Sequence, residues 1–128
     1  MVRRLRNERG MTTIQVAILF PAVLFWIMLI VQYGLWWHAK QVANAAAAEA
    51  VDAAQVSTGT ARDGETAAAA YLEQAGNLSD VTITVTREPA TVTAEVHGDA
   101  PRLVPGFEWS VTARSAAPVE RFIPEPER

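Results

Sequence analysis

The chain has 128 residues, no cysteine and a formal net charge of −3. The lack of cysteine excludes disulfides and the usual cysteine-based zinc sites, and the length predicts one small domain besides any membrane segment. After Lys40 there are only six Arg residues against 13 Asp and Glu residues, and this acidic balance excludes the basic footprint that nucleic-acid binding requires.

The first ten residues form a basic leader. Its positive charges are Arg3, Arg4, Arg6 and Arg9, opposed only by Glu8. Lys and Arg clustered beside one end of a membrane segment keep that end in the cytoplasm, and they also attract the anionic lipids of the inner leaflet. We therefore predict that residues 1–10 are cytoplasmic and that the acidic remainder is extracytoplasmic.

An uncharged apolar run follows the leader, from Ile14 to Trp37, in which Gln15 and Gln32 are the strongly polar side chains. As a helix, these residues reach roughly 36 Å, enough to cross a hydrocarbon core of about 30 Å with some tilt. Aromatic side chains that prefer the membrane interface lie at its outer end: Tyr33, Trp36 and Trp37. The run predicts a single transmembrane helix.

Good helix formers continue beyond the apolar run, with no Gly or Pro between Gly34 and Gly59. One helix is therefore predicted over residues 11–56, with an Ala-rich extension. Ala39, Ala43 and Ala47 recur at a four-residue spacing, which lets helices approach closely. This face packs either on the chain's own domain or on helices of other copies.

A turn-rich linker is predicted over residues 57–64, followed by a short helix. Glu65 is expected in the first turn of this helix, and Gly76 is a candidate C-cap. Its predicted inner face consists of Tyr71, Leu72 and Ala75.

Three antiparallel strands are predicted after Asn77, because apolar and polar residues alternate. The predicted inward-facing residues are Val81, Ile83 and Val85, then Val92, Ala94 and Val96, then Phe107, Trp109, Val111 and Ala113. A hairpin is expected at residues 88–90 and a longer exposed loop at 98–106.

The predicted fold class is therefore α+β: a long N-terminal transmembrane helix, a short helix and a three-stranded antiparallel sheet. The small extracytoplasmic domain is expected over residues 65–115, and residues 116–128 form a Pro-rich tail. A domain of this size is small for an independent core, so we expect it to lean on the long helix, on neighbouring subunits, or on both.

The sequence offers little support for catalysis or metal binding. His38 and His97 have no metal-ligand spacing, and no strained elbow or oxyanion loop surrounds Ser110, which could otherwise be combined with His97 and Asp99. The glycines form no phosphate-binding loop. We expect no enzyme activity, no cofactor and no metal.

The segment around Gly10 resembles the TadE-like family, the minor pseudopilins of bacterial tight-adherence (Flp) pilus systems. The resemblance lies in "ERG" before the apolar run, a polar residue five positions after the glycine, Ala17, Pro21 and the Ala-rich continuation. It implies a pilin-like subunit related to those of type IV pili and type II secretion. It also implies that a prepilin peptidase recognises Arg9 and Gly10 and cuts before Met11. The implied partners are this peptidase, other pilin or pseudopilin subunits, the assembly machinery and membrane lipid.

Gln15 departs from the family pattern, in which the fifth mature residue is typically glutamate. The resemblance implies that this carboxylate balances the N-terminal ammonium of a neighbouring subunit, whereas an amide can accept a hydrogen bond but cannot cancel the charge. Weaker docking, or a place at a tip or in an initiating complex, is therefore expected. Alternatively, Gln15 is simply a polar residue within reach of headgroups and water. Pro21 either only kinks the helix or eases its bending during extraction from the bilayer.

Two other interpretations of the N-terminal segment remain open. The helix could be an uncut signal anchor that carries a binding module for an extracytoplasmic partner. It could also be a secretory signal removed at the small residues of "ANAAAAEA", although its apolar run is longer than such signals usually have.

Overall fold

A computed structural model describes residues 5–121, 123 and 124, with side chains from residue 12 onward. Within these residues the elements are α1 (Leu5–Gln55), α2 (Ala61–Ala75), β1 (Ser79–Arg87), β2 (Thr91–Asp99) and β3 (Ser110–Pro118). The strands form one antiparallel sheet in the order β1-β2-β3. The predicted α+β architecture is confirmed.

Helix α1 is a single rod of 51 residues that begins inside the predicted leader and ends one residue before the predicted boundary. Arg3 and Arg4 lie outside the described residues. The helix continues through Pro21, which has no amide hydrogen to donate to the carbonyl of Ala17. At about 1.5 Å per residue, α1 is roughly 75 Å long.

The two halves of α1 have different surroundings. Among the described residues, α1 contains the one helix section long and apolar enough to cross a membrane, and no residue of its most apolar 18-residue window is buried. Burial against the rest of the chain begins at Gln32 and continues to the end of the helix. We call residues 14–31 the bare section and residues 32–55 the packed section.

The core lies between the packed section, α2 and one face of the sheet. Ala39, Ala43 and Ala47 are completely buried in this core. The sequence left open whether this alanine row packs on the chain's own domain or on other copies. In the structure it packs on the chain's own domain. Small side chains let the sheet and α2 lie close to the α1 backbone, so the small domain does lean on the long helix.

Helix α2 begins at Ala61, four residues earlier than predicted, because Thr60 and Asp63 form a capping box. The Asp63 amide donates to Thr60 Oγ1 (3.2 Å), and the Thr60 amide donates to Asp63 Oδ2 (2.8 Å). These bonds satisfy amides that a helix start would otherwise leave free. Asp63, rather than Glu65, is therefore the acidic residue of the first turn.

The buried face of α2 is the line Gly64, Ala68 and Leu72, at a four-residue spacing. Leu72 was predicted correctly and Tyr71 is partly buried, but Ala75 is exposed. The earlier start does not change the end of the helix, and Gly76 is its C-cap as predicted.

The capping box gives α2 a pH-dependent start. Hydrogen bonds from the Thr60 side chain and amide hold the pKa of Asp63 below its ordinary value of 3.8. A lowered folded-state pKa stabilises the helix above the ordinary value, and this contribution is lost as pH falls through the folded-state pKa. We expect hydrogen exchange at the first α2 amides to accelerate below pH 3.8, relative to the rest of α2. The variant Asp63→Asn should lose this pH dependence. If hydrogen exchange in Asp63→Asn depended on pH as it does in the wild type, the role of the Asp63 carboxylate would be contradicted.

The central strand β2 matches its prediction most closely. Val92, Ala94 and Val96 are completely buried, and the predicted hairpin at residues 88–90 is closed by a bond from the Glu88 amide to the Thr91 carbonyl (2.8 Å). In the edge strand β1, by contrast, only Val85 is buried. Ile83 is partly buried and Val81 is exposed, because both border an open groove beside the C-terminal half of α2.

Strand β3 begins and ends later than predicted. Val111 and Ala113 are buried as expected, but Phe107 is exposed and Trp109 only partly buried, because the chain leaves the sheet between Asp99 and Ser110. At the other end, residues 116–118 belong to the sheet rather than to the tail. They pair with the first three residues of β2, down to the pair Thr91 and Pro118.

Candidate membrane-anchoring and processing site

The bare section of α1 carries the predicted membrane residues. Gln15 and Pro21 both lie on it and are exposed, among large apolar side chains that are also exposed. The backbone of Arg9, Gly10 and Met11 lies in α1 just before it, but their side chains lie outside the described residues. The site of the predicted cut is therefore roughly 7 Å along the helix axis from Gln15.

The C-terminal end of the bare section is marked by Gln32, whose side chain is completely buried. Its Nε2 donates to the Pro101 carbonyl (3.0 Å), and its Oε1 accepts from the amides of Leu103 (2.7 Å) and Val104 (3.2 Å). A glutamine here satisfies one carbonyl and two amides of the segment between β2 and β3. We call this segment, residues 100–109, the β2–β3 loop.

Two further side chains on the same face of α1 donate to backbone carbonyls. Trp36 Nε1 donates to the Ser110 carbonyl (3.2 Å), and Lys40 Nζ donates to the Thr112 carbonyl (3.2 Å). Since Gln32, Trp36 and Lys40 are four residues apart, they lie on consecutive turns of one helix face. This polar row attaches the β2–β3 loop and the start of β3 to α1, directly above the bare section.

The aromatic residues of the predicted outer interface lie beside this attachment. Tyr33 and Trp37 are more than half exposed, whereas Trp36 is partly buried. The rings of Tyr33 and Trp36 are neighbours, with centroids 5.9 Å apart. Exposed aromatic rings at the end of an apolar helix are typical of a membrane interface.

The far end of α1 is capped by the domain. Arg87 Nε donates to the Ala54 carbonyl (3.0 Å) and its Nη2 to the Val56 carbonyl (3.2 Å), while the Glu120 amide donates to the Gln55 carbonyl (2.9 Å). A guanidinium group at a helix C-terminus both satisfies free carbonyls and complements the helix dipole. The roles of Gln32 and Arg87 were not recognised in the sequence.

The residues considered for catalysis or metal binding have ordinary surroundings. His38 is exposed on α1, and the His97 ring nitrogen Nδ1 lies 2.9 Å from Thr112 Oγ1 on the outer face of the sheet. Ser110 pairs with Asp99 through the backbone of the sheet. Among the described residues, no three His, Asp or Glu side chains are close enough together to hold a metal ion.

Comparison with protein families gives a match over the N-terminal part of the chain. Residues 10–52 match the TadE-like protein family, which confirms the resemblance seen in the sequence over about a third of the chain. Comparisons with curated proteins and with solved structures give no significant match. The matched range begins at Gly10, covers the bare section and ends within the packed section.

Proposed function

With residues 10–52 identified as TadE-like, we propose that this protein is a minor pseudopilin-like structural subunit that takes part in assembly of a tight-adherence pilus or a related secretion machine. The observation that carries the proposal is that the family match covers both the helix section able to cross a membrane and most of the packed section of α1 that holds the domain. Its role is assembly rather than catalysis.

The bare section suits a subunit that moves between two environments. No residue of its apolar window is buried, so the described chain leaves most of this surface uncovered. Lipid covers such a surface while the subunit waits in the membrane, and helices of other subunits cover it in an assembly. The polar row from Gln32 to Lys40 attaches the β2–β3 loop and the start of β3 to α1 next to this surface.

The charge distribution supports an orientation for the assembly. We propose that the basic leader is cytoplasmic and the acidic domain extracytoplasmic, since Lys and Arg beside a membrane segment stay inside. Gly10 would then face the cytoplasmic side, where a prepilin peptidase would recognise Arg9 and Gly10 and cut before Met11.

The alternative is an unprocessed signal-anchored envelope protein whose domain binds an extracytoplasmic partner. The observation in its favour is the groove between α2 and β1, lined in part by Leu72, Leu78, Val81 and Ile83. Cleavage separates the two functions, because only the pseudopilin requires a new N-terminus at Met11.

The cleavage is tested by replacing Gly10. We expect Gly10→Phe to abolish processing, because the resemblance implies a peptidase that recognises the glycine before the cut. The N-terminal sequence and intact mass of the protein from its native membranes measure this directly. Gly34→Phe is the matched control, since Gly34 is exposed and an added Cβ there meets no atom within 4 Å, and it should be processed normally. A wild-type chain that begins at Met1, or a Gly10→Phe chain that still begins at Met11, would contradict cleavage that depends on this glycine.

The docking role of position 15 is tested by restoring the charge. An unpaired ammonium in hydrocarbon costs several kcal/mol, and a charge-assisted hydrogen bond is roughly twice as strong as a neutral one. We therefore expect Gln15→Glu to increase the amount of pilin partners that co-purify with this subunit. Gln41→Glu adds the same charge at an exposed position of the packed section and should change nothing. If wild type and Gln15→Glu co-purified with equal amounts of pilin partners, position 15 would have no role in docking.

A further inference from the structure

The β2–β3 loop lies beside the membrane anchor although it is some 70 residues away in sequence. It leaves the sheet after the bond from the Ala100 amide to the Trp109 carbonyl (2.9 Å), and Gln32 then holds it at Pro101, Leu103 and Val104. Gln32 is the first residue after the bare section. Whatever covers the outer end of the bare section therefore also meets the loop.

The loop is fixed on one side and bare and apolar on the other. Ala100 and Val104 are buried, whereas Leu103 is 46% and Phe107 64% exposed. The turn before Phe107 uses Gly106 at a φ of +91°, a conformation that L side chains rarely adopt. The fold thus exposes two large apolar side chains on the loop that Gln32 attaches to the anchor, instead of burying them with Val111 and Ala113.

We propose that the β2–β3 loop is a second membrane contact, in which Leu103 and Phe107 enter the outer interface of the bilayer beside the bare section of α1. The occupant is lipid because the contact is continuous with a helix surface that lipid already covers. Residues 14–31 span roughly 27 Å as a helix, so a bilayer around them ends close to Gln32 and the loop bound to it. Tyr33 and Trp37, both exposed at the same level, extend this interfacial belt.

The charges near the loop indicate that the contact is apolar rather than electrostatic. Arg102 lines the same small cavity as three carboxylate residues, Asp80, Asp99 and Glu108, so negative charges lie near its positive charge. Such a group offers little attraction to anionic headgroups. The contact is therefore expected in zwitterionic lipid alone. It depends on the membrane anchoring of α1 and not on assembly into a pilus.

The absence of cysteine makes a direct test possible in the full chain. Leu103→Cys and Phe107→Cys, prepared separately, are labelled with the environment-sensitive fluorophore nitrobenzoxadiazole and reconstituted in phosphatidylcholine vesicles at a high lipid-to-protein ratio. Quenching of the labels at positions 103, 107 and 56 is measured with phosphatidylcholine that carries a nitroxide near the headgroup, and quenching at position 24 with phosphatidylcholine that carries it near the end of the acyl chain. Val56→Cys is the matched control, because Val56 is 40% exposed and lies roughly 36 Å along α1 from Gln32. Leu24→Cys, in the bare section and 49% exposed, reports insertion of the anchor itself.

We expect labels at positions 103 and 107 to emit at shorter wavelength and to be quenched at least about twofold more than the label at position 56. Quenching at 103 and 107 no stronger than at 56, with position 24 quenched, would overturn the contact while leaving the anchor intact. A shift of the emission at positions 103 and 107 to shorter wavelength that appears only at low lipid-to-protein ratio, or only when pilin partners are added, would also overturn the lipid contact. It would assign the loop to a protein interface. Failure of quenching at position 24 would overturn both the anchor and the contact that depends on it.

Discussion

Gln32→Leu is expected to release the β2–β3 loop from α1 and to lower the free energy of unfolding by about 2–4 kcal/mol. Leucine nearly fills the same volume but removes one donor and one acceptor. The amides of Leu103 and Val104 then lose their acceptor and the Pro101 carbonyl loses its donor. A buried polar group without a partner costs more than the hydrogen bond contributes, so the effect exceeds that of a surface substitution.

Two measurements on the full chain in detergent micelles check this result. Chemical unfolding gives the loss of stability, and hydrogen exchange at Leu103 and Val104 shows whether the loop itself is released. Arg102 offers a third readout, because trypsin should cut after it more readily once the loop is free. Gln41→Leu is the control, since Gln41 is exposed on the same helix section. Slow exchange at both amides in Gln32→Leu would show that other contacts hold the loop.

Gly64→Val is expected to separate α2 from α1 and to lower the free energy of unfolding by about 3 kcal/mol or more. A Cβ at Gly64 would lie 2.6 Å from the Ala50 carbonyl oxygen, 3.1 Å from Ala54 Cβ and 3.2 Å from Val85 Cγ1. The closest of these atoms belongs to the backbone of α1, which cannot move aside as a flexible side chain can. Ala50, Ala54 and Gly64 are small because the two helices touch here.

The size of this effect is judged against another helical glycine in the same chain. Gly34 has nothing within 4 Å of an added Cβ, so Gly34→Ala should be neutral or stabilise α1 by up to about 1 kcal/mol through helix propensity. Chemical unfolding of the full chain, followed by near-ultraviolet circular dichroism, compares the two variants. Equal stabilities for Gly64→Val and Gly34→Ala would contradict close packing of α2 on α1.

Local sequence features were sufficient to predict most of the fold. The uncharged run from Ile14 predicts a membrane-spanning helix by its length and apolarity, and the good helix formers of the Ala-rich continuation extend it. The strands of the sheet were predicted from alternation, and in β2 Val92, Ala94 and Val96 are buried as expected. Where a local signal was present but not used, as with Thr60 and Asp63, the helix start was placed four residues late.

Contacts between distant residues could not be predicted in this way. Gln32 stood out as a polar residue in an apolar run, but its partners lie 69 to 72 positions away. Arg87 resembles any charged residue at a strand end until α1 brings its last carbonyls beside it, 31 to 33 positions away. Phe107 continues the alternation of β3, yet the loop leaves the sheet to reach Gln32 and carries Phe107 outside. In each case, tertiary contacts decide what the local pattern leaves open.

The measurement that tests the central claim most directly is the N-terminal sequence and intact mass of the wild-type protein purified from its native membranes. A prepilin-type subunit is predicted to begin at Met11, which keeps the whole bare section on the mature protein and makes Gln15 its fifth residue. A chain that begins at Met1 would contradict processing and favour the uncut anchor. A chain that begins beyond Ala45 would mean that the helix is a discarded signal, and both the anchor and the pilus assignment would fail.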